Sequence, residues 1–211
     1  FTPNQFTMMD FRLSYNNSTS FTYILPFSEN EALIEYTFFT PYLTEETIYD
    51  EQLKKYISEY LKLDTYEILN KEKGIIPMTD FPFEKDNSAK ITKIGTGGGW
   101  VKASTGYSFK HTEKKISKII KNIKSGHKPS KDLFLRKYKF YDAIFLDVLA
   151  RRNDKGEQIF SKFYQKNSVE EIFAYLDEET PFNEDLKIMF SLFDPEFIIS
   201  FFRKFRLLCP L

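Results

Sequence analysis

Metal-binding and redox side chains are nearly absent from this 211-residue chain, which has one cysteine, Cys209, and two histidines, His111 and His127. A lone thiol excludes an internal disulfide and fits a reducing compartment, so the cytoplasm is the expected location. These three side chains leave no ligand cluster for a metal. Neither sign of charge is in excess. Thirty Lys and Arg balance thirty Asp and Glu, so no overall field draws the chain to nucleic acid. No apolar run is long enough to span a bilayer, and no signal-peptide pattern opens the chain. No G-x-G-x-x-G follows a first strand, so the fingerprint that grips an adenosine diphosphate is missing. The sequence enters strand-like residues directly from Phe1, which reads as a piece of a longer protein.

Glycine is scarce, at eight residues, yet Gly95, Gly97, Gly98 and Gly99 fall together and Gly106 follows. Consecutive glycines allow positive φ and let another molecule approach the main chain. Ser104 or Thr105 can cap the helix that follows, whose first N–H groups and positive dipole end suit an anion. A plain glycine-rich turn before a helix explains the same residues. No Gly-Lys-Ser/Thr follows, so it is not a P-loop. Aromatic residues make up 18% of the chain, with 23 Phe and 13 Tyr. That excess suits a greasy pocket or an interface, although an AT-rich genome would also produce it.

The first forty residues read as an antiparallel meander. Met9, Phe11 and Leu13 alternate with Met8, Asp10 and Arg12. A turn signal at 16–20 leads to a returning strand over 21–25, and a third strand runs over 31–39. Within the third strand a period of two puts Leu33, Glu35 and Thr37 on one face and Ala32, Ile34, Tyr36 and Phe38 on the other, more apolar one. Glu35 could therefore simply face solvent. Residues 47–63 read as a helix with a stripe of Leu53, Ile57, Tyr60 and Leu61. Short strands are expected over 66–69, 74–78 and 90–94, with Pro77 and Pro82 limiting the second.

A two-faced helix over 108–125 carries Phe109, Ile116, Ile119, Ile120 and Ile123 on one arc and Lys110, Lys114, Lys118, Lys121 and Lys124 opposite, until Gly126 stops it. A basic face of this kind is solvated, or docks on anionic lipid. Beyond Pro129 only helices are expected, over 131–152, 156–165, 169–177, 183–193 and 195–205, with Ser168/Glu171 and Asn183 as caps. The expected division is 1–128, a sheet plus glycine loop and helix, followed by an all-helical region over 129–211. The fold class is α+β, with a mainly antiparallel sheet and packed helices.

Five short motifs in order carry a family resemblance: Met9-Asp10-Phe11-Arg12, Leu25-Pro26-Phe27-Ser28, Leu33-Ile34-Glu35-Tyr36-Thr37, Gly74-Ile75-Ile76-Pro77-Met78, and the glycine stretch ending Ser104-Thr105-Gly106-Tyr107. Together they resemble the flavin-dependent lycopene β-cyclases of carotenoid synthesis, over roughly residues 1–126. The resemblance implies the substrate-side part of a hydroxybenzoate hydroxylase-like flavoprotein fold, without the N-terminal FAD-binding segment. It implies a redox-neutral cyclisation of lycopene or a similar linear carotenoid, with reduced FAD as cofactor, NADPH as its reductant, and a peripheral position on the inner face of the cytoplasmic membrane through the basic helix 110–124.

An alkene is protonated in such a reaction, the carbocation closes a ring, and a proton leaves. This needs a carboxylic acid kept protonated by an apolar setting and an electron-rich partner for the cation. Glu35 matches the acidic position of the family's Phe-Leu-Glu-Glu-Thr motif. Tyr36 stands where many relatives have a second carboxylate. Asp10 matches the acid of the Met-Asp motif, or serves structurally by pairing with Arg12. The resemblance places FAD at Gly95, Thr96, Gly97, Gly98, Ser104, Thr105 and Gly106, with Thr96 replacing the Asp of the hydroxylases. A fragment lacking the dinucleotide segment is expected to bind FAD poorly and to be inactive alone. The alternatives are a flavin-dependent prenyl-lipid reductase or monooxygenase, and a non-catalytic module that binds lipid or protein.

Overall fold

Alternating side chains near the N-terminus build a three-stranded antiparallel sheet of order β1-β2-β3, with β1 at Thr7–Asp10, β2 at Ser20–Pro26 and β3 at Ala32–Phe38. The computed structural model describes residues 1–208. Cys209 therefore lies outside the described residues. The chain forms two compact units, one of 1–73 with 149–160, the other of 74–148 with 161–211. The expected division at 128/129 falls inside the second unit. The fold class is α+β, as expected: one small sheet, and seven α-helices among the described residues.

In the first unit, β2 and β3 pair in strict register, with Thr22 opposite Tyr36, Tyr23 opposite Glu35 and Ile24 opposite Ile34. The β1–β2 register slips between Thr7 and Asp10, and Met9 sits in that irregularity at φ +57°. A left-handed conformation in a residue with a Cβ is the signature of a bulge. The sheet face bearing Ile24, Ile34, Tyr36 and Phe38 packs on helix α1, Glu46–Glu59, through the fully buried Tyr56. Alternation thus places Tyr36 inside and Glu35 on the opposite face, as the period of two requires. The Tyr36 hydroxyl bonds the Leu13 carbonyl at 3.1 Å, so this buried phenol is satisfied. The far face is closed at one end by Phe21, which meets Phe11 edge-on at 5.5 Å and Phe160 at 6.4 Å.

Asn153 ties the same unit together. Its Oδ1 accepts from the Thr19 amide at 2.7 Å, and its Nδ2 donates to the Phe39 carbonyl at 2.8 Å. Gly156 lies so close to the buried Thr19 that an added Cβ would overlap its Oγ1, Cγ2 and Cβ. Gly156→Ala is expected to destabilise the first unit by about 3 kcal/mol, because neither Thr19 nor the backbone can give way. Chemical denaturation of the variant followed by circular dichroism checks this.

The second unit is helical: α2 at Phe109–Lys124, much of α3 at Arg136–Arg151, the end of α4 at Gly156–Lys166, α5 at Val169–Leu176, α6 at Phe182–Ser191 and α7 at Pro195–Leu208. Phe163, Ile172, Leu176 and Ile188 form one of its apolar clusters. Ser168 and Glu171 make the expected capping box on α5. Gly126 ends α2 at φ +69°.

Four expectations fail here. Segments 66–69, 74–78 and 90–94 are irregular, not strands, with Ile68, Ile75, Ile76 and Ile91 exposed. A short β-prone run becomes a strand only beside another strand, and the three-stranded sheet does not extend to them. Asn183 lies within the first turn of α6, which Pro181 precedes as N-cap. Neither Ser104 nor Thr105 caps α2, which begins after Ser108. Finally, α2 turns the face bearing His111 and Asn122 inward and leaves Phe109, Ile116, Ile120 and Ile123 exposed.

Candidate functional site

The glycine stretch folds into a tight turn in the second unit. Its 3-10 segment, Thr96–Gly98, is closed by hydrogen bonds from the Gly98 amide to the Ile94 carbonyl at 3.1 Å and from the Trp100 amide to the Gly95 carbonyl at 3.1 Å. Gly99 holds φ +70°, and a Cβ there would sit 2.5 Å from the Phe83 ring. Neighbouring protein therefore already demands a glycine at that position. Gly98 is buried, Gly95 and Gly106 are half-buried, and Thr96 and Gly97 are exposed. Ser104 is buried and donates to Asp142 Oδ1 at 2.7 Å, while Thr105 Oγ1 accepts from the Tyr107 amide at 3.4 Å.

Beside this turn lies a cleft walled by Thr96, Gly99, Trp100, Phe81, Phe83 and Phe134. Lys102 sits at its base with a fully buried side chain, 2.9 Å from Asp142 and 3.5 Å from Glu178. Its ammonium also lies 5.2 Å from the Tyr138 ring and 5.5 Å from the Tyr175 ring, an arrangement that favours a desolvated cation. His111 joins from α2, with Nε2 2.8 Å from the Leu176 carbonyl and Nδ1 3.9 Å from Glu178. Burial lowers the His111 pKa, and the repulsion of Lys115 and Lys102 adds to this against the pull of Glu178. The imidazole is therefore neutral at pH 7, with its proton on Nε2. Lys115, one turn further along α2, has its pKa lowered by burial as well. The Trp100 indole is buried, and its Nε1 has no hydrogen-bond partner.

In the first unit, Glu35 is exposed on β3 and accepts a hydrogen bond from Thr37 Oγ1 at 2.7 Å. Tyr23 stands opposite it on β2. Glu35 is the one carboxylate that β2 and β3 carry. Asp10 is placed differently. Its carboxylate accepts from Arg12 Nε at 2.8 Å, from the Arg12 amide at 3.0 Å and from the Tyr56 hydroxyl. The expected Asp10–Arg12 pair is therefore present, and Tyr56 of α1 completes it. Burial alone would raise the Asp10 pKa, but the bonds from Arg12 and Tyr56 outweigh it and hold the carboxyl below its ordinary value. Burial, and then the Asp10 carboxylate, push the Tyr56 phenol up to about 12.

A carboxyl with a depressed folded-state pKa stabilises the fold above its unfolded pKa, near 4, and loses that contribution as pH falls through the folded value. Asp10→Asn is expected to lower the melting temperature at pH 7 and to approach the parent as pH falls through the depressed folded-state pKa. Thermal melts across that range test the sign.

Residues 1–204 match the family model described as lycopene cyclase protein. The chain belongs to the lycopene cyclase family. No curated protein and no solved structure matches it. Membership supports a lycopene cyclase-like function, with a carotenoid as the substrate class.

Of the residues expected at a site in this lycopene cyclase family chain, the second unit gathers the glycine turn and Ser104, Thr105 and Gly106, and the first carries Glu35 and Asp10. Sequence reasoning missed Lys102, His111, Lys115, Asp142 and Glu178. Their spacing matches no motif, and Lys102 meets Asp142 across a separation of 40 residues. The available signal was a lysine three residues beyond consecutive glycines and a histidine in the first turn of an otherwise lysine-rich helix.

Proposed function

We propose that the full-length protein to which this chain belongs performs the acid-initiated, redox-neutral ring closure of a linear carotenoid, with Glu35 as the proton donor. The observation that carries the proposal is the family match over residues 1–204 together with Glu35 standing as the lone carboxylate on its sheet face. The protonated carboxyl gives its hydrogen to the terminal alkene, forming a C–H bond and leaving a tertiary carbocation. The neighbouring alkene closes the ring on that cation. Loss of a ring proton to a carboxylate restores neutrality, so no electrons are gained or lost. Glu35 is exposed on β3, and a hydrocarbon laid over Leu33, Tyr23 and Leu25 would strip its water and favour the neutral acid. Thr37 orients the carboxyl through its hydrogen bond.

Reduced FAD is proposed at the glycine stretch, within a hydroxybenzoate hydroxylase-like fold and with NADPH as the reductant. The aromatic lining of the cleft and the unpartnered Trp100 Nε1 fit a planar, hydrogen-bond-accepting ring. Gly95, Thr96, Gly97 and Gly98 would make the contact, with Ser104, Thr105 and Gly106 shaping the loop behind. When bound, the reduced ring supplies an electron-rich surface suited to a developing cation.

A peripheral position on the cytoplasmic membrane is proposed through α2. Its exposed Phe109, Ile116, Ile120 and Ile123 lie beside Lys121 and Lys124, the pattern of a helix that lies in a lipid interface. None of the helices among the described residues is long and apolar enough to cross a membrane.

The test is a stoichiometry. The full-length protein is incubated with lycopene and NADPH under anaerobic conditions, and rings are counted against NADPH consumed. Rings formed with no net consumption support cyclisation. Saturated acyclic products at one NADPH each would replace it with the reductase reading, and hydroxylated acyclic products at one NADPH each in a parallel reaction supplied with oxygen would replace it with the monooxygenase reading.

A further inference from the structure

We infer that the cleft beside the glycine turn is a binding site for a phosphate-class oxyanion, held by the Lys115 ammonium and taken up together with a proton on His111. The first observation is a mismatch among the charges that line the cleft. Asp142 and Glu178 share Lys102, at 2.9 and 3.5 Å. Glu84 is paired with Lys139, and Asp80 with Lys204 at 2.8 Å. Lys115 alone has no such match. Its ammonium lies 4.9 Å from the centre of the Phe134 ring, and among the described residues it has neither an ion pair nor a hydrogen bond. An ammonium carries three N–H donors, and burying part of it without an acceptor is unfavourable. A tetrahedral oxyanion supplies the missing acceptors and the opposite charge.

The second observation is the separation of 3.9 Å between His111 Nδ1 and the Glu178 carboxylate. Nε2 is committed to the Leu176 carbonyl, so in the neutral ring Nδ1 offers only a lone pair. That lone pair faces a carboxylate oxygen 3.9 Å away, beyond hydrogen-bond reach. A proton on Nδ1 would repair the mismatch, and burial opposes it. The charges acting on the ring are Glu178 in favour, and Lys102 and Lys115 against. Asp142 is occupied by Lys102 and Ser104. On the same helix Lys110 and Lys114 are matched by Asp177 and Glu179. Counting each lysine with its acid, Lys102, Lys115, Lys139 and Lys204 balance Asp80, Glu84, Asp142 and Glu178, so the side chains of the cleft sum to zero charge with His111 neutral. A dianion such as sulfate leaves it two charges negative, and protonation of His111 offsets one of the two. Anion and proton therefore bind with positive coupling, each strengthening the other.

This site does not depend on the flavin reading, because the oxyanion can be a free ion or the phosphate of a nucleotide. Trp100, the chain's one tryptophan, is buried in the cleft wall and reports occupancy through its fluorescence. Sulfate is the first probe, since it is tetrahedral and does not titrate between pH 5 and 8. The expected result is a saturable change in Trp100 emission that tightens about tenfold from pH 7.5 to 5.5. Lys115→Met should weaken it about tenfold or more, and Lys115→Arg should retain it. His111→Gln should flatten the pH dependence. Circular dichroism of each variant separates loss of binding from loss of fold.

FMN and riboflavin form the second arm. FMN competing with sulfate while riboflavin does not identifies a nucleotide phosphate as the occupant. Sulfate binding that needs Lys115, with neither flavin bound, keeps this site and identifies a free oxyanion as its occupant. Riboflavin binding indifferent to Lys115→Met, with no saturable sulfate binding up to roughly 50 mM, the millimolar range of weak sites, overturns the site and leaves the flavin proposal standing.

Discussion

Glu35→Gln is expected to reduce ring formation by about 10²–10⁴-fold while the sheet remains intact. Gln keeps an oxygen that can accept the Thr37 hydrogen bond, and the side chain is exposed, so the fold loses almost nothing. What it loses is the acid. An amide cannot protonate an alkene near neutral pH, and β2 and β3 carry no second carboxylate to substitute for it. Tyr36, in the neighbouring position, faces the core, with its hydroxyl bonded to Leu13, and cannot take over. Conversion of lycopene by the full-length variant, with its melting temperature measured alongside, checks both halves. Unchanged turnover would remove Glu35 from the mechanism. Unchanged carotenoid binding, with no turnover in parent or variant, is what a non-catalytic lipid-binding module would show.

Asp142→Asn is expected to destabilise the second unit by about 3 kcal/mol, at the lower end of the range for breaking a buried ion pair. The Lys102 side chain is wholly buried and would retain only Glu178, at 3.5 Å, as an ion-pair partner. Ser104 would lose the carboxylate that accepts its hydroxyl at 2.7 Å. The loss comes mainly from leaving an ammonium buried beside an uncharged amide. Removing both charges, as Lys102→Met with Asp142→Leu, should therefore restore much of the stability. Calorimetry of the single and double variants tests this. A single variant as stable as the parent would mean that the lysine finds water.

The first unit was legible from local signals. Alternation over β3 put Ile34, Tyr36 and Phe38 on the core face and Glu35 on the other, and turn residues marked the meander. The end of α2 at Gly126 and the helices beyond Pro129 fell near their expected bounds because the glycine stop, amphipathic periodicity and the Ser168/Glu171 box are also local. Tyr56 was missed as the centre of α1 because its burial depends on a hydroxyl reaching Asp10 from 46 residues away. The expected strands over 66–69, 74–78 and 90–94 failed for a related reason, since strand propensity is realised only with a partner. The inward face of α2 ran against its own pattern. His111 and Asn122 are drawn in by the Leu176 carbonyl and by those of Pro129 and Lys131, leaving the isoleucines outside. The lysine–carboxylate cluster of the cleft joins residues 102, 111, 142 and 178, and no spacing in one sequence announces such a meeting.

Isotope uptake from solvent tests the central claim most directly. The full-length protein converts lycopene in D₂O with unlabelled NADPH, and the ring products are examined by mass spectrometry and NMR. Proton donation from an exchangeable carboxyl predicts one deuterium per ring, on the carbon that receives the proton. Rings that form without deuterium would contradict an acid-initiated closure.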